Sequence, residues 1–271
     1  MMRDIAISAL EEDTASIPGR GEYLRDLIVV LIQKEVRLRY RNTWLGYAWS
    51  LLHPLTFTAV YFLAFGVIMR VPIENYLVFL IVGLFPWQWI SQSLSTAPNV
   101  FLANAMLIKK VHFPRNLLVL SVIANLGIQF LLSVPFMILV TIWYGYPASF
   151  AWLLGIPLLV AIQFATLYGL SLAIASANVY FRDLDRLVSL AVTFLFFLTP
   201  IAYSVQMVPM NYEWLLYLNP LTSVMLGWQQ LFLVGVVEWR FISFAAGISF
   251  LSVFLGTMIY RRLAARFAEV I

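Results

Sequence analysis

Long runs without a single Asp, Glu, Lys or Arg constrain this chain more than any other feature. Residues 44–69, 116–143, 150–176, 187–206 and 241–260 are such runs, and 74–97 is another apart from Glu74 at its edge. A stretch of about 20 apolar residues crosses the hydrocarbon of a bilayer as a helix, because a helix satisfies its own backbone amides where water is absent. The sequence therefore predicts an all-α, polytopic membrane protein with six transmembrane helices. Composition agrees, with 62% hydrophobic and 11% charged residues against roughly 25% charge in a soluble domain. The second run is strongly apolar only from Tyr76 to Ile90 and then turns polar through Ser91, Gln92, Ser93, Ser95 and Thr96. This predicts a helix that continues out of the bilayer.

The basic residues set the orientation. Fifteen of the 17 Lys and Arg lie in residues 1–43, 98–115, 177–186 and 261–271, whereas the alternate connections hold only Arg70 and Arg240. Positive charge gathers on the cytoplasmic side, so both termini are expected in the cytoplasm with six crossings between them. The net charge of +4 then follows from topology, and a nucleic-acid partner is not needed. Residues 1–22 contain Asp4, Glu11, Glu12 and Asp13 with no apolar core, unlike a cleavable signal peptide. Residues 1–21 are expected as a flexible cytoplasmic tail and 261–271 as a second one.

Two segments are expected not to cross. Over 22–43, Leu24, Leu27, Ile28, Leu31 and Leu38 recur near helical spacing opposite Arg25, Lys34, Arg37 and Arg41, as in an amphipathic helix lying in the cytoplasmic interface. An N-terminal extension of the first span is the alternative. Residues 207–238 hold two shorter apolar pieces, Glu213 to Leu218 and Leu221 to Val234, joined by Asn219-Pro220. They are too short to span, which favours a re-entrant helical pair on the outer face between spans five and six.

Several chemistries are excluded. Zero cysteines remove disulfides, zinc-thiolate and iron-sulfur sites and a cysteine nucleophile, and His53 and His112 alone make no metal site. Ion-coupled transport needs ionisable groups at membrane depth, and the spans have none beyond His53, for which a structural hydrogen bond is the plainer role. No G-x-x-x-x-G-K-[ST] loop is present either. A membrane chain with neither ion coupling nor an ATP site is passive or driven by a partner. The loops NVFLANAMLIKKVHFPR (99–115) and ANVYFRDLDR (177–186) combine charge with apolar anchors, which suits docking on another protein; a solvated loop that only fixes topology is the alternative.

Six pieces in order, TWLGYAWSLLHPL (43–55), GLFPWQWIS (83–91), LIKKVHFPRNLLVLS (107–121), ANVYFRDLDRLV (177–188), FLTPIAYSVQMVP (197–209) and YLNPLTSV (217–224), resemble the membrane subunit of type-2 ABC exporters. The branch is the one that exports polysaccharides such as O-antigen, capsule and teichoic acid, and LIKKVHFPR and YFRDLDR incline the reading to O-antigen. The resemblance implies a multi-pass permease of the bacterial inner membrane, a homodimer enclosing a channel, with two copies of a separate ATPase beneath. That ATPase would bind ATP and Mg, leaving no cofactor and no catalytic residue in this chain. Lys109, Lys110, Val111, His112, Phe113, Pro114 and Arg115 would form the coupling helix, and Tyr180, Phe181, Arg182, Asp183, Asp185 and Arg186 a second cytoplasmic contact, with the four charges tying the loop to the interface helix. Asn219 and Pro220 would mark the turn of an outer gate.

A conduit for lipid-linked polysaccharide wants aromatic faces and neutral hydrogen-bonding groups without deep charge. Trp49, His53, Phe57 and Tyr61 recur every four residues in the first span, and Phe194, Phe197 and Tyr203 stand in the fifth; the resemblance implies that these two spans line the channel. Packing or interface anchoring is the competing role for any aromatic residue here. Pro54, Pro86, Pro135, Pro157 and Pro200 are expected to kink five spans. A type-2 exporter of drugs or small lipids is the nearest rival function, and a membrane-embedded glycan-modifying enzyme a remote one.

Overall fold

The computed structural model describes residues 20–40, 46–111, 113–265 and 267. Every regular element among them is helical: α1 (Arg20–Tyr40), α2 (Trp49–Tyr61) continued by a π-helical segment to Ile68, α3 (Tyr76–Thr96), the short α4 (Val100–Ala103) and α5 (Ala105–Lys110), α6 (Asn116–Trp143), α7 (Ala151–Asn178), α8 (Leu184–Leu198), α9 (Glu213–Leu218), α10 (Thr222–Gln229) continued by a π-helical segment to Val234, and α11 (Trp239–Ala264). Five stretches are long and apolar enough to cross a membrane, namely Trp49–Ile68, Tyr76–Ala103, Asn116–Trp143, Ala151–Asn178 and Trp239–Ala264. The chain is an all-α polytopic membrane protein.

The remaining expected span, 187–206, takes a different form. Its helix, α8, has 15 residues and rises about 22 Å, less than the roughly 30 Å of a hydrocarbon core. It stops because Thr199 precedes Pro200 and adopts an extended conformation, φ −99° and ψ 135°, as the proline ring disfavours the helical region for its predecessor. Pro200 thus lies past the helix end, whereas Pro54, Pro86, Pro135 and Pro157 sit inside α2, α3, α6 and α7. A second difference concerns 261–271: α11 carries on through Arg261 and Arg262 to Ala264, and Phe267 beyond it is fully buried. Leu263, Ala264 and Phe267 make apolar contacts with the bundle.

The α7–α11 pair forms the tightest seam. A Cβ on Gly169 would collide with the backbone of Ser252, and one on Gly256 with the carbonyl of Gly169, so the two helices meet backbone to backbone as small residues permit in membranes. They also run parallel. At one end the Ser149 hydroxyl donates to the Gly235 carbonyl (2.7 Å) and the Trp152 indole to the Leu231 carbonyl (2.8 Å); at the other the Tyr180 hydroxyl donates to the Leu263 carbonyl (2.8 Å). Between Val179 and Glu238 the chain therefore returns the whole length of α7.

Charge separates between these ends. The Tyr180 end holds Arg115, which donates to the Ala264 carbonyl (3.0 Å), and α1, whose Lys34 donates to Asn104; the Gly235 end holds Arg240. On α1, Leu31 is buried while Leu24, Leu27 and Ile28 pack against the core and Arg25 and Arg37 are exposed. Leu38 and Arg41 fall outside what can be described of side chains.

Buried carboxamides fasten the interior. Gln163 on α7 donates to the Pro86 carbonyl (3.0 Å) and accepts from the Trp228 indole (2.8 Å); Asn178 donates to the Pro98 carbonyl (2.8 Å), and Gln229 to the Pro200 carbonyl (2.7 Å). An amide buried in an apolar interior needs such partners, so each bond fixes one element against another.

Candidate coupling surface and conduit

At the basic end α5 stops at Lys110, Val111 is extended (φ −126°, ψ 133°), and α6 starts at Asn116. Ile108 is buried beneath, while Lys109, Lys110, Val111 and Pro114 are exposed. Phe113 is half-buried and packs against the core, and the half-buried Arg115 caps the C-terminal end of α11 through Ala264, its guanidinium 6.0 Å from the Phe267 ring centroid. A cation there meets the unpaired carbonyls of a helix terminus. In the second loop Phe181, Arg182, Asp183 and Arg186 are exposed and Asp185 is half-buried, and among the described residues none of these charges is ion-paired with α1. Tyr180 turns inward to Leu263. His112 lies outside the described residues.

The structure thus divides the candidates into an outward set and an inward set. Arg115 and Tyr180, one from each loop, converge on the last turn of α11 and on Phe267, whose ring stands 5.0 Å from Phe101. Sequence reading missed Phe267, since a lone aromatic among Ala and Arg carries no periodic signal.

The conduit candidates also divide. Tyr61 packs against Phe196 of α8 (ring centroids 5.1 Å), Phe196 against Trp87 (5.7 Å) and Phe197 (5.3 Å), and the Tyr203 hydroxyl donates to the Phe197 carbonyl (3.0 Å). Tyr61, Phe197 and Tyr203 are therefore gathered around Phe196, a residue sequence reading passed over within the FLFF run. Trp49 and His53 face elsewhere, into a groove shared with α3 and α6. A four-residue spacing on a helix of 3.6 residues per turn drifts about 40° per step, so about 120° separates Trp49 from Tyr61. Phe57 lies between, paired with His53 (5.1 Å).

Phe57, Phe194 and Phe197 are exposed, the last two by 68% and 62%. Beside them stand the exposed Thr56, Ser189 and Thr193, whose hydroxyls donate to carbonyls four residues back. Only Pro54 and Thr58 of α2, and only Val188 and Val192 of α8, are buried. These two helices offer aromatic faces and neutral hydroxyls, with no charge on α2 and none on α8 after its first turn, which holds Asp185 and Arg186. Asn219 is buried, donates to Thr199 Oγ1 (2.7 Å) and accepts from the Leu221 amide (3.0 Å), while Pro220 is exposed. The α9–α10 turn is thereby pinned to the residue that ends α8. Among the described residues, no three His, Asp or Glu side chains gather as a metal site requires.

Comparison with known proteins completes the picture. Residues 26–233 match the family described as ABC-2 type transporter. Over 249 residues the chain is 40% identical to the O-antigen export system permease protein RfbA of Klebsiella pneumoniae, covering 92% of this chain and 96% of that protein. It is 36% identical over 210 residues to the protein of the same description from Myxococcus xanthus, covering 77% and 80%. With the bundle, the aromatic faces and the match in hand, the chain belongs to the ABC-2 type transporter family and is the membrane permease of an ABC-type exporter, a transport component whose ATP hydrolysis resides elsewhere.

Proposed function

We propose that this permease moves a lipid-linked polysaccharide, O-antigen first among the candidates, outward across the bacterial inner membrane as a homodimer carrying two ATPase subunits. The observation that carries the reading is the pair of uncovered, charge-free faces on α2 and α8, joined through Tyr61 and Phe196. Two copies facing each other across these surfaces enclose a path with aromatic platforms for the C–H faces of sugars and hydroxyls for their rims. The names of the similar proteins support the same substrate.

Six crossings and cytoplasmic termini belong to this reading. The parallel course of α7 and α11 supports a return crossing through α8 and the segment after Leu198, and the gathering of basic residues at the Tyr180 end supports that end as cytoplasmic. Lys109, Lys110 and Val111 with Phe181, Arg182 and Arg186 serve as the surface docked on the ATPase, and the turn at Asn219-Pro220 belongs to a re-entrant pair that closes the outer mouth. The test is to purify the chain with its ATPase, weigh the complex and assay transport in proteoliposomes. A two-plus-two assembly that moves lipid-linked glycan is expected. An assembly that moves small hydrophobic dyes and ignores the glycan overturns the substrate.

A further inference from the structure

The groove that receives Trp49 and His53 is bounded by α2, α3 and α6 and has a volume of about 490 Å³. On α3 its wall runs from Phe85 to Thr96, about 16 Å at 1.5 Å per residue, the length of a short oligosaccharide. The wall contains the carboxamides of Gln88, Gln92 and Gln129 and the hydroxyls of Ser95, Thr96 and Ser133, and no Asp, Glu, Lys or Arg. Aromatic rings back these groups. Trp89 and Phe130 stack at 5.3 Å behind the wall, while Trp49 is 50% exposed at the side of the groove.

Carboxamides inside apolar helices are costly, and those of Gln163, Asn178 and Gln229 are engaged in holding elements together. Gln88 is different: it is half-buried, faces the groove, and makes no hydrogen bond to another described residue. Gln129, which also lines the groove, donates to Asn125 (3.4 Å), and its carbonyl oxygen has no described donor. An occupant that suits this wall both donates and accepts along its length and presents an apolar face to an indole. An acyl chain would strand the amides, and an anion or a metal ion would meet no Lys, Arg, Asp or Glu, with His53 the one imidazole in the lining. A neutral polyhydroxylated ring meets each requirement.

We propose that the groove between α2, α3 and α6 is a saccharide-binding site, separate from the α2–α8 faces, with Trp49 as stacking platform and Gln88, Gln129 and Thr96 as hydrogen-bonding groups. Its sugar comes either from the exported glycan or from the headgroup of a membrane glycolipid; only that choice of source rests on the export reading, while the site rests on the groove itself.

The test uses the permease–ATPase complex in lipid nanodiscs, with maltotriose added in solution in one arm and monoglucosyl diacylglycerol built into the nanodisc in the other. Indole emission is followed in the parent and in Trp49→Phe, Gln88→Leu and Thr96→Val. A saturable emission change is expected with at least one probe, lost in Trp49→Phe and shifted to about tenfold higher midpoint in Gln88→Leu, as the loss of one hydrogen bond gives. A response to maltotriose assigns the site to the glycan chain, and a response to the glucosyl lipid alone assigns it to a glycolipid headgroup. Should Gln88→Leu fail to assemble, Thr96→Val at an exposed position decides, with a shift in midpoint expected there too. No saturable change with either probe, or one that neither Gln88→Leu nor Thr96→Val moves, overturns the assignment. Glycan export is measured on the same preparation: export without binding sinks the groove site and leaves the exporter standing, whereas binding without glycan export does the reverse.

Discussion

Gln163 shows how single side chains specify this fold. Both ends of its carboxamide are used, one on the Trp228 indole and one on the Pro86 carbonyl. Gln163→Leu keeps the volume and strands both partners, so a loss of about 1–3 kcal/mol per orphaned group is expected, read as a lower unfolding temperature in detergent. The loop proposed to dock on the ATPase gives a paired prediction. Val111 is exposed and Phe113 packs on the core, so Val111→Asp is expected to weaken ATPase co-purification at unchanged thermal stability, whereas Phe113→Asp lowers both. Equal stability of the two variants would contradict the placement of Phe113. The sequence allowed these loops to be singled out by their mixture of charge and apolar anchors. It could not tell Arg115 and Tyr180 from their outward neighbours, because their partners, Ala264 and Leu263, lie far along the chain and declare themselves only after folding.

At the scale of elements, the long apolar helices were legible because lipid leaves little freedom: a charge-free run of this length has one backbone solution. Departures arose where local chemistry or tertiary contact overrode hydropathy. Pro200 ends α8 early although the apolar run continues, a signal available in the sequence but outweighed by composition. Conversely, Arg261 and Arg262 suggested the start of a tail, yet α11 persists because Leu263, Ala264 and Phe267 have a surface to cover. The groove was missed for a third reason: Gln88 and Gln92, one helical turn apart, and Gln129 on another helix mark a polar wall only once α3 and α6 are known to adjoin α2. Phe267→Ala removes a fully buried ring from between Phe101, Tyr180 and Tyr260. A cost of about 3–5 kcal/mol is expected from the cavity, visible as earlier thermal unfolding and as protease access to the end of α11.

For the whole molecule the natural absence of cysteine makes topology directly testable. Single cysteines at Arg70 and Val236 are expected to react with a membrane-impermeant maleimide added to intact cells depleted of outer membrane, and those at Val111 and Phe181 only after lysis. Labelling of position 236 from the same side as 111 would remove the return crossing between α7 and α11. The seam between those two helices has a mechanical meaning as well. Where backbone rests on backbone at Gly169 and Gly256, no rotamer stands between the helices to yield, so the pair behaves as one strut. A displacement of Tyr180 or Arg115 is therefore expected to carry along this seam toward Ser149 and Gly235, whereas α2 and α8, with two buried residues each, are held less firmly by the bundle.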